Sequence, residues 1–218
     1  QGSLGEPGST FSQSPDQTTI ASAVKLNGKT RGRWSIAALD AVTPRESGRY
    51  VDSLGVIQRS AVEPLTNYFV GRLRREMRAG NTAVGGLVTA VDRNLGSSAP
   101  GSAALADVLR SHAYLGGLDL NHSWGERTWA LDASFAASRI QGTPSAILLA
   151  QRSSARYFQR PDATALALDS SRTTLGGHAA QIAVTKMAGG HWGGNLAYQE
   201  KSPGYETNDV GLTQTVNR

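Results

Sequence analysis

The sequence predicts an all-β fold: an antiparallel up-and-down transmembrane β-barrel that is partial and open, with one short helix in a long loop. Three observations support this prediction. Apolar and polar side chains alternate along several segments, these segments are long, and short connections alternate with long ones. Residues 1–218 are predicted to form a single β-barrel domain, an internal fragment of a larger barrel that begins after its targeting segment.

The segment 127–139 shows the alternation most clearly. One face would carry Trp129, Leu131, Ala133, Phe135 and Ala137, and the other face Thr128, Asp132, Ser134 and Ser138. This period of two is typical of a β-strand with one apolar and one polar side. The preceding residues alternate in the same way, and a turn at 123–126 would join the two segments into an antiparallel hairpin. Both strands reach about ten residues or more, longer than the roughly 5–6 usual in soluble sheets and close to the roughly 9–11 that cross a bilayer when tilted.

The remaining elements follow from the same pattern. Other strands are predicted at 20–27, 33–43, 65–76, 84–92, 175–188 and 191–201, and a ninth begins near Val210. Thr143 caps a short helix that Pro144 begins and that runs through 145–153. The long connections are 44–64, 93–107 and 140–174, and the turns between them are short. Outer-membrane barrels segregate short periplasmic turns from long outer loops, so this order favours a membrane barrel over a soluble β-sandwich or solenoid.

Composition is consistent with a barrel. Hydrophobic residues make up 39% of the chain, and there are 25 glycines and no cysteine, which removes disulfides and Cys-ligated metals. No apolar run approaches the roughly 18 residues of a membrane helix. The formal charge is +5 and the pI is about 9.8, but the basic residues are scattered along the sequence rather than gathered in a stripe with stacking aromatics. Lipid phosphate is therefore favoured over nucleic acid as the anionic partner, and no cofactor is predicted.

Polar residues at alternate strand positions are candidates for a barrel interior. The lumen-facing candidates are Arg72, Arg74, Asp119, Asn121, Asp132, Ser134 and Asn195. Trp34, Trp129 and Trp192 each stand near one end of an apolar face, as the aromatic girdle of a membrane barrel would. Packing in the core of a sandwich is the alternative for these tryptophans.

No catalytic, cofactor-binding or metal-binding residues are predicted. The four histidines are His112, His122, His178 and His191, and they show no metal-ligand spacing and no accompanying acidic cluster. A barrel phospholipase would need a serine and a histidine together on an outward face, for which Ser123 beside His122 is the nearest candidate. Polar positions at the rims or in the lumen are the favoured interpretation of these side chains.

Two proline-containing regions carry residue types that set turns. The ordered-turn candidates are Arg160, Pro161, Asp162, Ser202, Pro203, Gly204, Asn208 and Asp209. A loop that folds into the lumen as a plug, held by Arg160 and Asp162, is the functional alternative.

Three segments also resemble one known family. Their sequences are VEPLTNYFVGR at 62–72, YFQRPD at 157–162 and SPGYETNDVG at 202–211. In order and spacing they resemble the bacterial outer-membrane β-barrel domain of unknown function, of the 5916 type, that commonly follows a family-nine-like carbohydrate-binding module. The resemblance covers nearly the whole chain. It implies an outer-membrane location, a larger barrel with this chain as its middle portion, and a carbohydrate-binding module that these residues do not include.

The resemblance and the strand pattern together predict a porin-like protein whose partners are outer-membrane lipid and an oligosaccharide. Its expected role is the passage, or the surface capture and passage, of a hydrophilic solute such as an oligosaccharide. That choice of solute rests on the module that accompanies the family. Two alternatives stay open: a barrel-embedded hydrolase that acts on lipid or glycan, and a structural membrane anchor for an N-terminal carbohydrate-binding domain.

Overall fold

The structure, a computed structural model, describes residues 11–96, 98–156, 158–161 and 167–207. In chain order its elements are β1 (Phe11–Gln13), β2 (Ser22–Lys29), β3 (Trp34–Thr43), β4 (Glu46–Val51), β5 (Ile57–Glu63), β6 (Leu65–Met77), β7 (Thr82–Asn94), α1 (Ser102–Val108), β8 (His112–Trp124), β9 (Trp129–Gln141), α2 (Pro144–Arg152), β10 (Thr174–Lys186) and β11 (Gly194–Lys201). A 3₁₀ turn at Arg78–Gly80 joins β6 to β7.

Most of these strands form one eight-stranded sheet with the order β11-β10-β9-β8-β7-β6-β3-β2. Every neighbouring pair is antiparallel, which confirms the predicted all-β antiparallel class. The five strands β6 to β10 are 13 residues long, and those of the predicted hairpin, β8 and β9, therefore agree with the expected length of about ten residues or more. Within the described residues the sheet does not close into a barrel, and β2 and β11 are its two edges.

The connections of this sheet divide between its two ends. Because consecutive strands run in opposite directions, every short turn lies at one end and every long connection at the other. The short turns are 30–33, 78–81, 125–128 and 187–193, and the long connections are 44–64, 95–111 and 142–173. The order of short and long connections predicted from the sequence is therefore present.

The turn of the central hairpin lies two residues later than predicted. Trp124 is still part of the ladder and pairs with Trp129, so the turn occupies 125–128 rather than 123–126. Its first three residues all have positive φ, at 57°, 55° and 65° for Gly125, Glu126 and Arg127. Only the glycine favours this left-handed region, so residue type gave a weak signal for the other two.

Two of the predicted long loops contain regular structure. The connection 44–64 contains β4 and β5. Together with β1 they form a small three-stranded sheet in which β4 is the central strand and pairs with both β1 and β5. The connection 93–107, predicted to be loop, contains most of α1, so the described chain has two short helices where the sequence predicted one. Gly101 precedes α1 and no side chain caps it, so the usual helix-start signal is missing. The predicted ninth strand near Val210 lies outside the described residues.

The hydrophobic core lies on one face of the large sheet, near the end with the long connections. Val91, Ala113, Ile140 and Leu175 form a row across β7 to β10, and Ile147, Ala150 and Phe158 from α2 and the residues after it complete the buried cluster. As predicted, Pro144 begins α2 and the Thr143 hydroxyl accepts a hydrogen bond from the Ala146 amide at 3.2 Å. No helix of the described chain is long and apolar enough to cross a membrane.

The two faces of the large sheet differ in chemistry. Residues directly opposite each other on neighbouring strands point to the same side, so the pairing register assigns side chains to faces. The apolar face carries Ile36, Leu73, Val88, Leu118, Leu131, Phe135 and Ile182. The polar face, which is also the face covered by α2, carries Arg72, Arg74, Asp119, Asn121, Asp132, Ser134 and Asn195.

Candidate functional site

An ion pair occupies the middle of the polar face. The Arg72 guanidinium lies 2.6 Å from the Asp119 carboxylate, although β7 separates their strands. Gly85 on β7 lies beneath the pair, and a Cβ atom at that position would stand 2.6 Å from the Asp119 carboxylate and 2.9 Å from Arg72. A glycine at this point therefore leaves room for the two side chains to meet across the intervening strand.

A second chain of polar contacts lies beside this pair. Arg74 on β6 donates to the Asn121 side-chain oxygen at 3.2 Å, and the Asn121 amide donates to the Asp132 carboxylate at 2.5 Å. The three residues span β6, β8 and β9. This arrangement links charged and amide groups along the sheet, and a face of this kind suits contact with water or a polar solute.

The other two lumen-facing candidates have different surroundings. Ser134 lies opposite Asp119 and is close to the ion pair. Asn195 lies on the edge strand β11, where its amide donates to the Thr185 hydroxyl at 2.6 Å. The structure therefore brings together six of the seven candidates and leaves Asn195 apart near the short-turn end.

The segment after β11 turns back over the polar face. The Tyr205 amide donates to the Ser202 carbonyl at 3.1 Å and closes a turn through Pro203 and Gly204. This turn is tied to β10, because the Ser202 amide donates to the His178 carbonyl at 2.8 Å and the Ser202 hydroxyl accepts from the His178 amide at 2.7 Å. A Cβ atom on Gly177 would collide with the backbone of the turn, which shows how closely the two segments approach.

A buried charge cluster holds the end of this segment. The Glu206 carboxylate lies 2.7 Å from Arg156 and 3.2 Å from Arg110, and the side chains of Glu206 and Arg156 are 1% and 0% exposed. The Glu206 amide also donates to the Ser138 hydroxyl on β9 at 2.8 Å. Burial lowers the pKa of the Arg156 guanidinium and the nearby Arg110 adds to this effect, while Glu206 opposes it.

Beneath this cover a cavity of about 350 Å³ opens on the polar face. Arg72, Asp119, Ser134 and Tyr205 contribute to its wall, together with apolar side chains such as Leu115. Burial raises the pKa of the Tyr205 phenol, so this group stays neutral and able to donate a hydrogen bond. The cavity thus combines a charged pair, the hydroxyl groups of Thr89, Ser134, Tyr205 and Thr207, and an apolar floor.

The family model described as "Domain of unknown function (DUF5916)" matches residues 5–218, which include both faces of the sheet and the covering segment. The chain belongs to the DUF5916 family. This finding confirms the resemblance to a domain of unknown function of that type. No curated protein and no solved structure matches the chain.

In this DUF5916 chain, the charged residues that hold the covering segment were not predicted from the sequence. Arg110, Arg156 and Glu206 carry no local pattern, although Arg156 directly precedes one of the three resembling segments and Glu206 lies inside another. Of the ordered-turn candidates, Ser202, Pro203 and Gly204 form the turn described above. Arg160 and Pro161 lie in the connection between α2 and β10. Asp162, Asn208 and Asp209 lie outside the described residues.

The Ser123 and His122 side chains do not come together in the structure. His122 and Ser123 are consecutive on β8, so their side chains point to opposite faces, and His122 instead pairs with the Thr82 hydroxyl at 2.9 Å. On the apolar face His112 pairs with Asp92 at 2.7 Å. Among the described residues there is no group of three or more side chains that could hold a metal ion.

Proposed function

We propose that this chain forms part of a transmembrane β-barrel in the bacterial outer membrane, and that its polar face lines a passage for a hydrophilic solute such as an oligosaccharide. The observation that carries the proposal is the contrast between the two faces of one sheet. One face exposes a broad apolar surface, whereas the other pairs its charges across the strands. The choice of an oligosaccharide rests on the family resemblance.

The apolar face is exposed to an extent unusual for a soluble surface. Leu118 is 69% exposed, Phe135 50% and Val88 51%, and these residues lie on neighbouring strands. The same surface continues over Ile182 and Leu196 on β10 and β11. A contiguous apolar patch of this breadth marks a surface that meets a membrane or another apolar partner.

The dimensions of the apolar face fit a hydrocarbon layer. On β8 the face runs from Trp124 at the short-turn end to Tyr114 near the long connections, eleven residues separated by ten steps along the strand. At about 3.4 Å per residue and a tilt of about 40°, this span covers about 26 Å of height, close to the roughly 25 Å apolar band of outer-membrane barrels. Tyr114 and Asp92 are hydrogen-bonded to each other at the upper limit of this band, where water would begin.

A structural anchor is the second candidate, because α2 and the segment through Glu206 cover part of the polar face. A covered passage conducts only if the cover moves. Conductance of the full-length protein in planar bilayers separates the two roles: stepwise ion currents support passage, and a sealed membrane despite correct insertion supports the anchor.

The membrane placement is tested with single cysteines at adjacent positions on opposite faces. Phe135→Cys and Ser134→Cys share the same strand and depth, and the background contains no cysteine. In the full-length protein reconstituted in lipid, we expect a probe at 135 to be quenched by a lipid-soluble quencher and a probe at 134 by a water-soluble one. Equal quenching at both positions, or the reverse pattern, contradicts the proposal.

A further inference from the structure

The chain has four tryptophans, and all four lie at the short-turn end of the large sheet. We define this end, residues 29–34, 75–82, 122–129 and 186–194, as the tight-turn rim. Trp34 begins β3, Trp124 ends β8, Trp129 begins β9 and Trp192 lies in the turn before β11. Tryptophan at the end of an apolar surface is typical of the boundary between hydrocarbon and headgroups, because its ring is apolar and its N–H is polar.

The tight-turn rim also concentrates positive charge. Its basic residues are Lys29, Arg31, Arg33, Arg75, Arg78, Arg127 and Lys186, and its acidic residues are Glu76 and Glu126. The excess of five positive charges equals the formal net charge of the whole chain. The long connections carry nearly as many acidic as basic residues. Basic residues that are scattered in the sequence are therefore gathered by the fold at one end of the sheet.

Cations and indole rings are in direct contact at this rim. The Lys186 ammonium lies 3.6 Å from the centroid of the Trp192 ring and 5.9 Å from that of Trp129. The Arg75 guanidinium lies 5.1 Å from the centroid of Trp34. Such contacts hold the charged groups at the margin of the apolar face, where phosphate groups would stand above buried acyl chains.

We propose that the tight-turn rim binds the phosphate groups of anionic phospholipids. This binding orients the sheet in the membrane so that the short turns lie at a leaflet made of phospholipid. The inference rests on the proposed function, because it requires the apolar face to meet lipid. Nucleic acid fits the rim poorly, since the rings of Trp124 and Trp129 stack on each other with centroids 6.1 Å apart and the Lys186 ammonium lies on the Trp192 ring, where a base would stack.

The test compares vesicles of phosphatidylcholine alone with vesicles that also contain phosphatidylglycerol. The full-length protein is used as wild type, as the double variant Arg75→Gln/Lys186→Gln, and as the control Arg49→Gln/Arg59→Gln. The control removes Arg49 on β4 and Arg59 on β5, which lie opposite each other in the small sheet, at the end of the large sheet with the long connections. Each charge near an anionic surface contributes about fivefold to binding, so the rim variant should lose about 25-fold of the preference for phosphatidylglycerol. The control should keep that preference.

Several results would overturn the inference. Equal loss in both double variants would mean that only net charge matters, and equal binding of the wild type to both vesicles would mean that anionic lipid is not recognised. Loss of the preference on addition of inorganic phosphate would indicate a site for the free ion instead of the lipid. Failure to insert into either vesicle would refute the proposed function itself, so the two failures are distinguishable.

Discussion

Glu206→Gln tests whether the buried charge cluster holds the segment after β11 against the polar face. The substitution preserves the size of the side chain but removes the negative charge between Arg110 and Arg156. Removing one partner of a buried ion pair costs roughly 3–5 kcal/mol, because the remaining charge stays buried without its counterion. Since glutamine still offers one carbonyl oxygen to a guanidinium, we expect about 3 kcal/mol, the lower end of that range.

The cost should appear as local opening of the segment. A loss of about 3 kcal/mol corresponds to an increase of about a hundredfold in the opening equilibrium. Hydrogen exchange of the Ser202 and Glu206 amides reports this opening, because both donate to groups on the sheet, at 2.8 Å in each case. We expect these amides to exchange about a hundredfold faster in the variant, while amides within β8 and β9 stay protected.

Glu76→Gln is the matched control. Glu76 also lies on the polar face and pairs with Lys29 at 3.1 Å, but the side chains of Lys29 and Glu76 are 56% and 37% exposed. Exposed pairs contribute about 0–1 kcal/mol, so this variant should leave the exchange of Ser202 nearly unchanged. Similar small effects in both variants would refute the view that the buried cluster secures the cover.

Two further predictions concern the same covered face. Gly177→Ala places a methyl group against the backbone of the covering turn and should abolish the protection of the turn's amides from hydrogen exchange. Gly116→Ala is the control, because nothing lies within 4 Å of the new Cβ atom, and it should leave that protection unchanged. A turn that stays protected in Gly177→Ala would contradict the close approach of the two segments. Thr143→Ala removes the cap of α2 and a hydrogen bond to the Ala106 carbonyl of 2.8 Å, and should cost about 1 kcal/mol. Thermal denaturation measures this loss, and an unchanged Tm would show that the cap contributes nothing.

The parts of the fold that the sequence predicts are those encoded by neighbouring residues. Leu131, Phe135 and Asp132 reveal a strand because period-two alternation depends only on positions within it. The cap at Thr143 is equally local. By contrast, the turn at 125–128 depends on Glu126 and Arg127 accepting a left-handed backbone, which their residue types disfavour, and so its position was predicted two residues early.

The covered cluster could not be found in the same way, because alternation assigns a residue to a face and does not say what covers that face. Glu206 and Arg110 are 96 residues apart in sequence, a separation for which closing a free loop would be costly. Once β8 to β11 have paired, however, Lys201 stands opposite Ala179, and only five further residues lead to Glu206. The loop that remains to be closed is therefore short. It follows that Glu206→Gln should release the cover while the hairpin of β10 and β11 stays formed, since the paired residues of those strands, 179–186 and 194–201, do not include Glu206.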